Sequence, residues 1–140
     1  MADYIDHIRQ AEHNEALGEL LVANPQFRDW LITVAFYAAI HYVEADFTKD
    51  SSIQHTERSK PKDVSAHVWR EQLVEQRYSK DCFKSYRKLR EASQDVRYLV
   101  RAIRRGQTGI APAYYSQEDA ERFFRHHLEV VKADTMQSSQ

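Results

Sequence analysis

The chain is poor in what breaks helices. Among 140 residues there are three glycines and three prolines, too few turn residues for a many-stranded sheet, so the sequence predicts long helices and few turns. The single cysteine, Cys82, excludes an internal disulfide and any cysteine-rich zinc site, and fits a reducing, cytoplasmic setting. No run of eighteen residues is both apolar and uncharged, and the N-terminus has no basic-then-apolar signal pattern, so neither membrane insertion nor secretion is expected. Three motifs are missing as well: a phosphate-cradling glycine loop, a metalloprotease His-Glu pair and a serine nucleophile elbow.

What is present is a globular composition, 42% hydrophobic and 29% charged, at a length that suits one domain. The expected domain is residues 1–136, with 137–140 a frayed tail. The net charge of −1 conceals an asymmetry. Residues 1–50 carry nine acidic and three basic side chains, whereas 77–105 carry ten basic and three acidic ones. A basic helix of this kind is either a nucleic-acid footprint or the solvated face of a helix packed beside an acidic neighbour.

Hydrophobic periodicity predicts five helices. The first spans Asp3 to Ala23, with Asp3 as N-cap and Ile5, Ile8, Ala11, Ala16, Leu20 and Leu21 as its stripe. Pro25 ends it. The second, Gln26 to Lys49, carries two apolar stripes and reads as the central helix. The third spans Val64 to Tyr78. The fourth, Ser79 to Arg105, holds a heptad-like seam of Cys82, Tyr86, Leu89, Ser93, Val96, Val100 and Ile103. "RRGQTGIAP" breaks it, and the fifth opens at Ser116, where Asp119 completes a capping-box pattern. Short connections favour antiparallel neighbours, so the expected fold is an all-α, up-and-down bundle of about five helices. The exception is a polar link from Thr48 to Asp63.

Three places could carry chemistry. His41 sits in "VAFYAAIHYVEADF", the most apolar helix; it is either a satisfied core histidine or a functional one. His55 and Arg58 lie in "HTER" of the polar link, and Arg97 with Tyr98 in "SQDVRYL" at the rim of the seam. If helices two and four start at the same end of the bundle, His41 and Arg97 fall at nearly the same height, and the link can fold back to bring His55 and Arg58 there. Histidine pairs give no metal site within a single helix: His126 and His127 lie about 100° apart, and His7 and His13 sit on different faces. No metal and no cofactor are therefore expected.

The quoted helix, the "HTER" link and "YRKLREASQDVRYL" together resemble small bacterial helical proteins related to the HEPN superfamily, over about residues 26–105. The resemblance implies a homodimeric helical bundle and either of two functions. One is a metal-independent endoribonuclease or RNA-binding protein of a toxin–antitoxin or defence system, with His41, His55, Arg58, Arg97 and Tyr98 as site residues. The other is a non-catalytic module that binds a nucleotide or a cognate protein. The ribonucleases of the superfamily also pair an arginine with a downstream histidine. Here that pair is Arg122 and His127 of "RFFRHH", about 140° apart on a regular helix, so they are not expected to face one substrate.

Overall fold

The computed structural model describes residues 2–99 and 109–137. Its helices are α1 (Tyr4–Val22), α2 (Arg28–Phe47), the single turn α3 (Thr56–Ser59), α4 (Ala66–Arg77), α5 (Lys80–Tyr98), α6 (Gln117–Arg122) and α7 (Leu128–Gln137). A π-helical segment, Phe123–His127, joins α6 to α7, and short 3-10 turns occupy Pro25–Phe27 and Ala111–Tyr114. No strand occurs among the described residues, and none of their helices is long and apolar enough to cross a membrane.

The caps explain where the helices start. Asp3 accepts from the Asp6 backbone N–H while the Asp6 carboxylate accepts from that of Asp3, a reciprocal capping box. Ser65, Ser79 and Ser116 cap α4, α5 and α6 through their hydroxyl oxygens. Helix α2 buries fifteen residues, among them Leu31, Phe36, Val43 and Phe47, and is wrapped on most sides. The seam of α5 is buried as its spacing predicts, from Cys82 through Tyr86, Leu89 and Ser93 to Val96. On α1 the stripe is only partly core, because Ile5 and Leu20 are exposed while Ala11 and Gly18 are buried.

Side-chain pairs fix the directions. Lys49, just past the end of α2, lies over the ring of Tyr4 at the start of α1, and only a short link joins Val22 to Arg28, so α1 and α2 are antiparallel. Tyr78 reaches Asp46 at one end of α2, and Tyr115 bridges Asp95 and Arg28 at the other, so α5 also runs antiparallel to α2. The α6–α7 run is antiparallel to α1 and α5, through Gln117 to Val22 and Asp134 to Ser79. The four long helical runs thus alternate up and down, with α3 and α4 inserted between the second and third.

One expectation needs correction. Helices two and four do not start at the same end: the 48–65 link carries the chain back along α2, so α4 runs with α2 and α5 against it. The described part of α5 ends at Tyr98, and the remainder of the expected helix, to Arg105, lies outside the described residues. Leu99 adopts the left-handed conformation (φ 52°, ψ 41°) and closes the helix after Tyr98. Val100 and Ile103 of the seam lie outside the described residues.

Candidate functional site

His41 does not stand alone in its helix. Its Nδ1 lies 3.0 Å from Nδ1 of His7 on α1, and the His7 ring lies 5.5 Å, centroid to centroid, from that of His55. His7 therefore joins the two histidines singled out from sequence. One helical turn beyond His41, the buried carboxylate of Glu44 takes a bond from Arg70 Nε (2.8 Å), a second from the Thr56 hydroxyl and a third from the Thr56 backbone N–H (3.3 Å). Its Oε2 faces His55 Nδ1 at 4.0 Å. Burial works against the charge of Glu44, but the bonds from Thr56 and Arg70 outweigh it and hold the carboxyl below its ordinary pKa. Burial lowers the pKa of both His7 and His41, and each suffers from a histidine neighbour. At neutral pH the cluster is two half-buried neutral imidazoles and His55 around one ionised carboxylate. The missed partner, His7, carries no within-helix signal; only the packing of α1 on α2 brings it in. Among the described residues, His7, Glu44 and His55 each offer a ligand atom within 4.8 Å of the others, a grouping that could hold a metal ion.

The other three sequence-derived residues lie apart. Arg97 donates to Tyr37 Oη at 2.8 Å and stands over the rings of Tyr37 and Tyr98. Tyr37 is one turn before His41, so Arg97 is offset from the histidines along α2 rather than level with them. It lines a cleft of about 320 Å³ with Tyr98, His67 and Arg90. Arg58 is exposed and, among the described residues, reaches Gln54 at 3.4 Å.

A third location overturns the reading of "RFFRHH". Residues 123–127 are π-helical, and the Leu128 N–H bonds to the Phe123 carbonyl, five residues back. In such a turn positions five apart come to one side. Arg122 and His127 both line a cavity of about 480 Å³, together with Lys88 from α5, Tyr115, Asp119 and His126. His127 is buried with Nδ1 3.1 Å from Ser85 Oγ. Its pKa is pushed down to about 4, first by burial and then by His126, Lys88 and Arg122. Arg122 makes exposed pairs with Asp119 and Glu118, of the kind that contribute little and exchange readily.

The charges of α5 divide accordingly. Lys88 faces this cavity, whereas Arg97, nine residues later and so on the opposite face of the helix, belongs to the tyrosine cleft. Arg90 pairs with Glu71, and Arg77, just before α5, pairs with Asp46 of α2 and with Asp50 of the link that follows it. Part of the basic segment is therefore the complement of the acidic N-terminal half. Compared with family models, with curated proteins and with solved structures, the chain finds no match in any of the three.

Proposed function

We propose that the chain is a HEPN-like domain that binds RNA and cleaves it without a metal ion at the cavity between α5 and the α6–π segment. The observation that carries this reading is the π turn, which sets Arg122 and His127 around one cavity with Lys88 and His126. Metal-free cleavage of a ribose phosphodiester needs a base for the 2′-OH, an acid for the leaving 5′-oxygen and cations for the phosphorane. His127, kept neutral at pH 7 by its burial, suits the base. In the tautomer whose Nδ1–H donates to Ser85 Oγ, the one this role requires, Nε2 keeps the lone pair. The exposed His126, whose ring centroid is 5.0 Å away, suits the acid. Lys88 and Arg122 supply the cations.

The histidine cluster on α2 suits this chemistry less well. A phosphate there would meet the ionised Glu44, and its cation, Arg70, is already bound to that carboxylate. Arg97 and the exposed Tyr98 fit a second role, stacking on an unpaired base along the bound strand.

RNA binding measured against salt concentration tests the phosphate contacts. Lys88→Ala and Arg122→Ala should each lower affinity and each reduce the salt slope by about one. Unchanged slopes in both variants would remove the cavity from RNA recognition.

A further inference from the structure

We propose that His7, Glu44 and His55 form a mononuclear site for a divalent transition-metal ion of the Zn²⁺ class, separate from the RNA cavity. The three residues come from three elements: α1, α2 and the N-cap of α3. Each offers one ligand atom, and these atoms all lie within 4.8 Å of one another. Bonds of about 2.0–2.2 Å to a tetrahedral ion put ligand atoms about 3.4 Å apart, so small side-chain rotations close the site. Two imidazoles and one carboxylate with a position left over is a donor set that such ions take.

Around these donors stand the groups that orient metal ligands. A ligating histidine characteristically uses its second ring nitrogen in a hydrogen bond that fixes its tautomer. His7 has that arrangement: Nδ1 is engaged with Nδ1 of His41, while Nε2 is buried with no hydrogen-bond partner among the described residues. Arg70 and Thr56 hold the Glu44 carboxylate, leaving Oε2 turned toward His55. His41 is thus a positioning residue, not a ligand. His55 also lines an open cleft of about 400 Å³ with Asp3, Gln54 and Thr48, which gives the ion an entry path with an acidic side chain at its edge.

The test is calorimetric titration of the untagged, chelator-stripped full chain with Zn²⁺, without RNA, followed by Co²⁺ loading read by visible absorption. One ion per chain, the ligand-field bands of a four- or five-coordinate Co²⁺ and a raised melting temperature are expected. His55→Ala, at the surface end of the site, should weaken binding at least tenfold with the fold retained. His41→Ala should weaken it by about 10–100-fold without removing a ligand. His126→Ala should bind as wild type. No binding by wild type, or loss in His126→Ala with full binding in His55→Ala, overturns the proposal. Because the readout contains no RNA, it stands or falls independently of the cleavage reading.

Discussion

At the scale of single residues, burial decides chemistry. His127 is held neutral by its surroundings, and its pKa lies at about 4 against an ordinary 6.5. A depressed histidine pKa means that the unfolded chain takes up the proton first. Stability is therefore complete above about pH 6.5 and falls as the pH drops from there toward 4. An NMR titration of the His127 ring should give a midpoint near 4, and Ser85→Ala, which removes its hydrogen-bond partner, should shift that midpoint measurably. A midpoint near 6.5 in the folded protein would remove the reason for casting His127 as a base neutral throughout the physiological range. Cys82 shows the same principle in an inert group. It is fully buried, and burial, then Asp134, push its thiol up to about 12. Iodoacetamide at pH 8 should leave it unmodified in the native protein and label it in denaturant. The residue-level features of the site were half legible in the sequence. His41 and His55 stood out by type and setting, but their link through His7 depends on a contact between helices that no spacing within a chain segment reports.

At the scale of elements, most helix starts were legible, because a cap is a local event. Asp3, Ser79 and Ser116 each satisfy backbone donors one turn ahead, and each opens a helix where the sequence places it. Interruptions were not legible. The α3 turn inside the polar link exists because Thr56 is drawn to the buried Glu44, a tertiary cause. The π segment likewise answers to two neighbours, with Phe124 packed over Gly18 of α1 and His127 bonded to Ser85 of α5. An angle computed for a regular helix could not anticipate it. Two substitutions test these elements. A Cβ at Gly18 would sit far inside van der Waals contact of the buried Phe124 ring. Gly18→Ala should thus lower the melting temperature, although alanine is the better helix former by about 1 kcal/mol. At Leu99, left-handed and 41% exposed, glycine removes the steric cost of that conformation. Leu99→Gly should raise stability by up to about 1 kcal/mol in chemical denaturation. A loss there would mean that the Leu99 side chain contributes more than its backbone costs.

At the scale of the molecule, the bundle was the most legible property, since scarce Gly and Pro and a seam from Cys82 to Val96 leave little room for another architecture. The directions of its helices were less so. The 48–65 link was long enough to turn the chain either way, and its anchoring at Glu44 fixed α4 parallel to α2. One result is that Arg97 meets Tyr37 rather than the level of His41; another is that the basic charges of α5 face two different places. Under the two proposals, separate residue sets of this bundle have different tasks: a carboxylate-centred histidine cluster suited to a cation, and a cationic cavity suited to a phosphodiester. The most direct measurement is single-turnover cleavage of a mixed-sequence RNA in EDTA, with product ends analysed. Wild type should leave 2′,3′-cyclic phosphate ends. His127→Ala and Arg122→Ala should each slow cleavage by about 10²–10⁴-fold while remaining folded, and His41→Ala should cleave at close to the wild-type rate. No cleavage by wild type, or wild-type rates in folded His127→Ala and Arg122→Ala with loss in His41→Ala, would contradict the assignment.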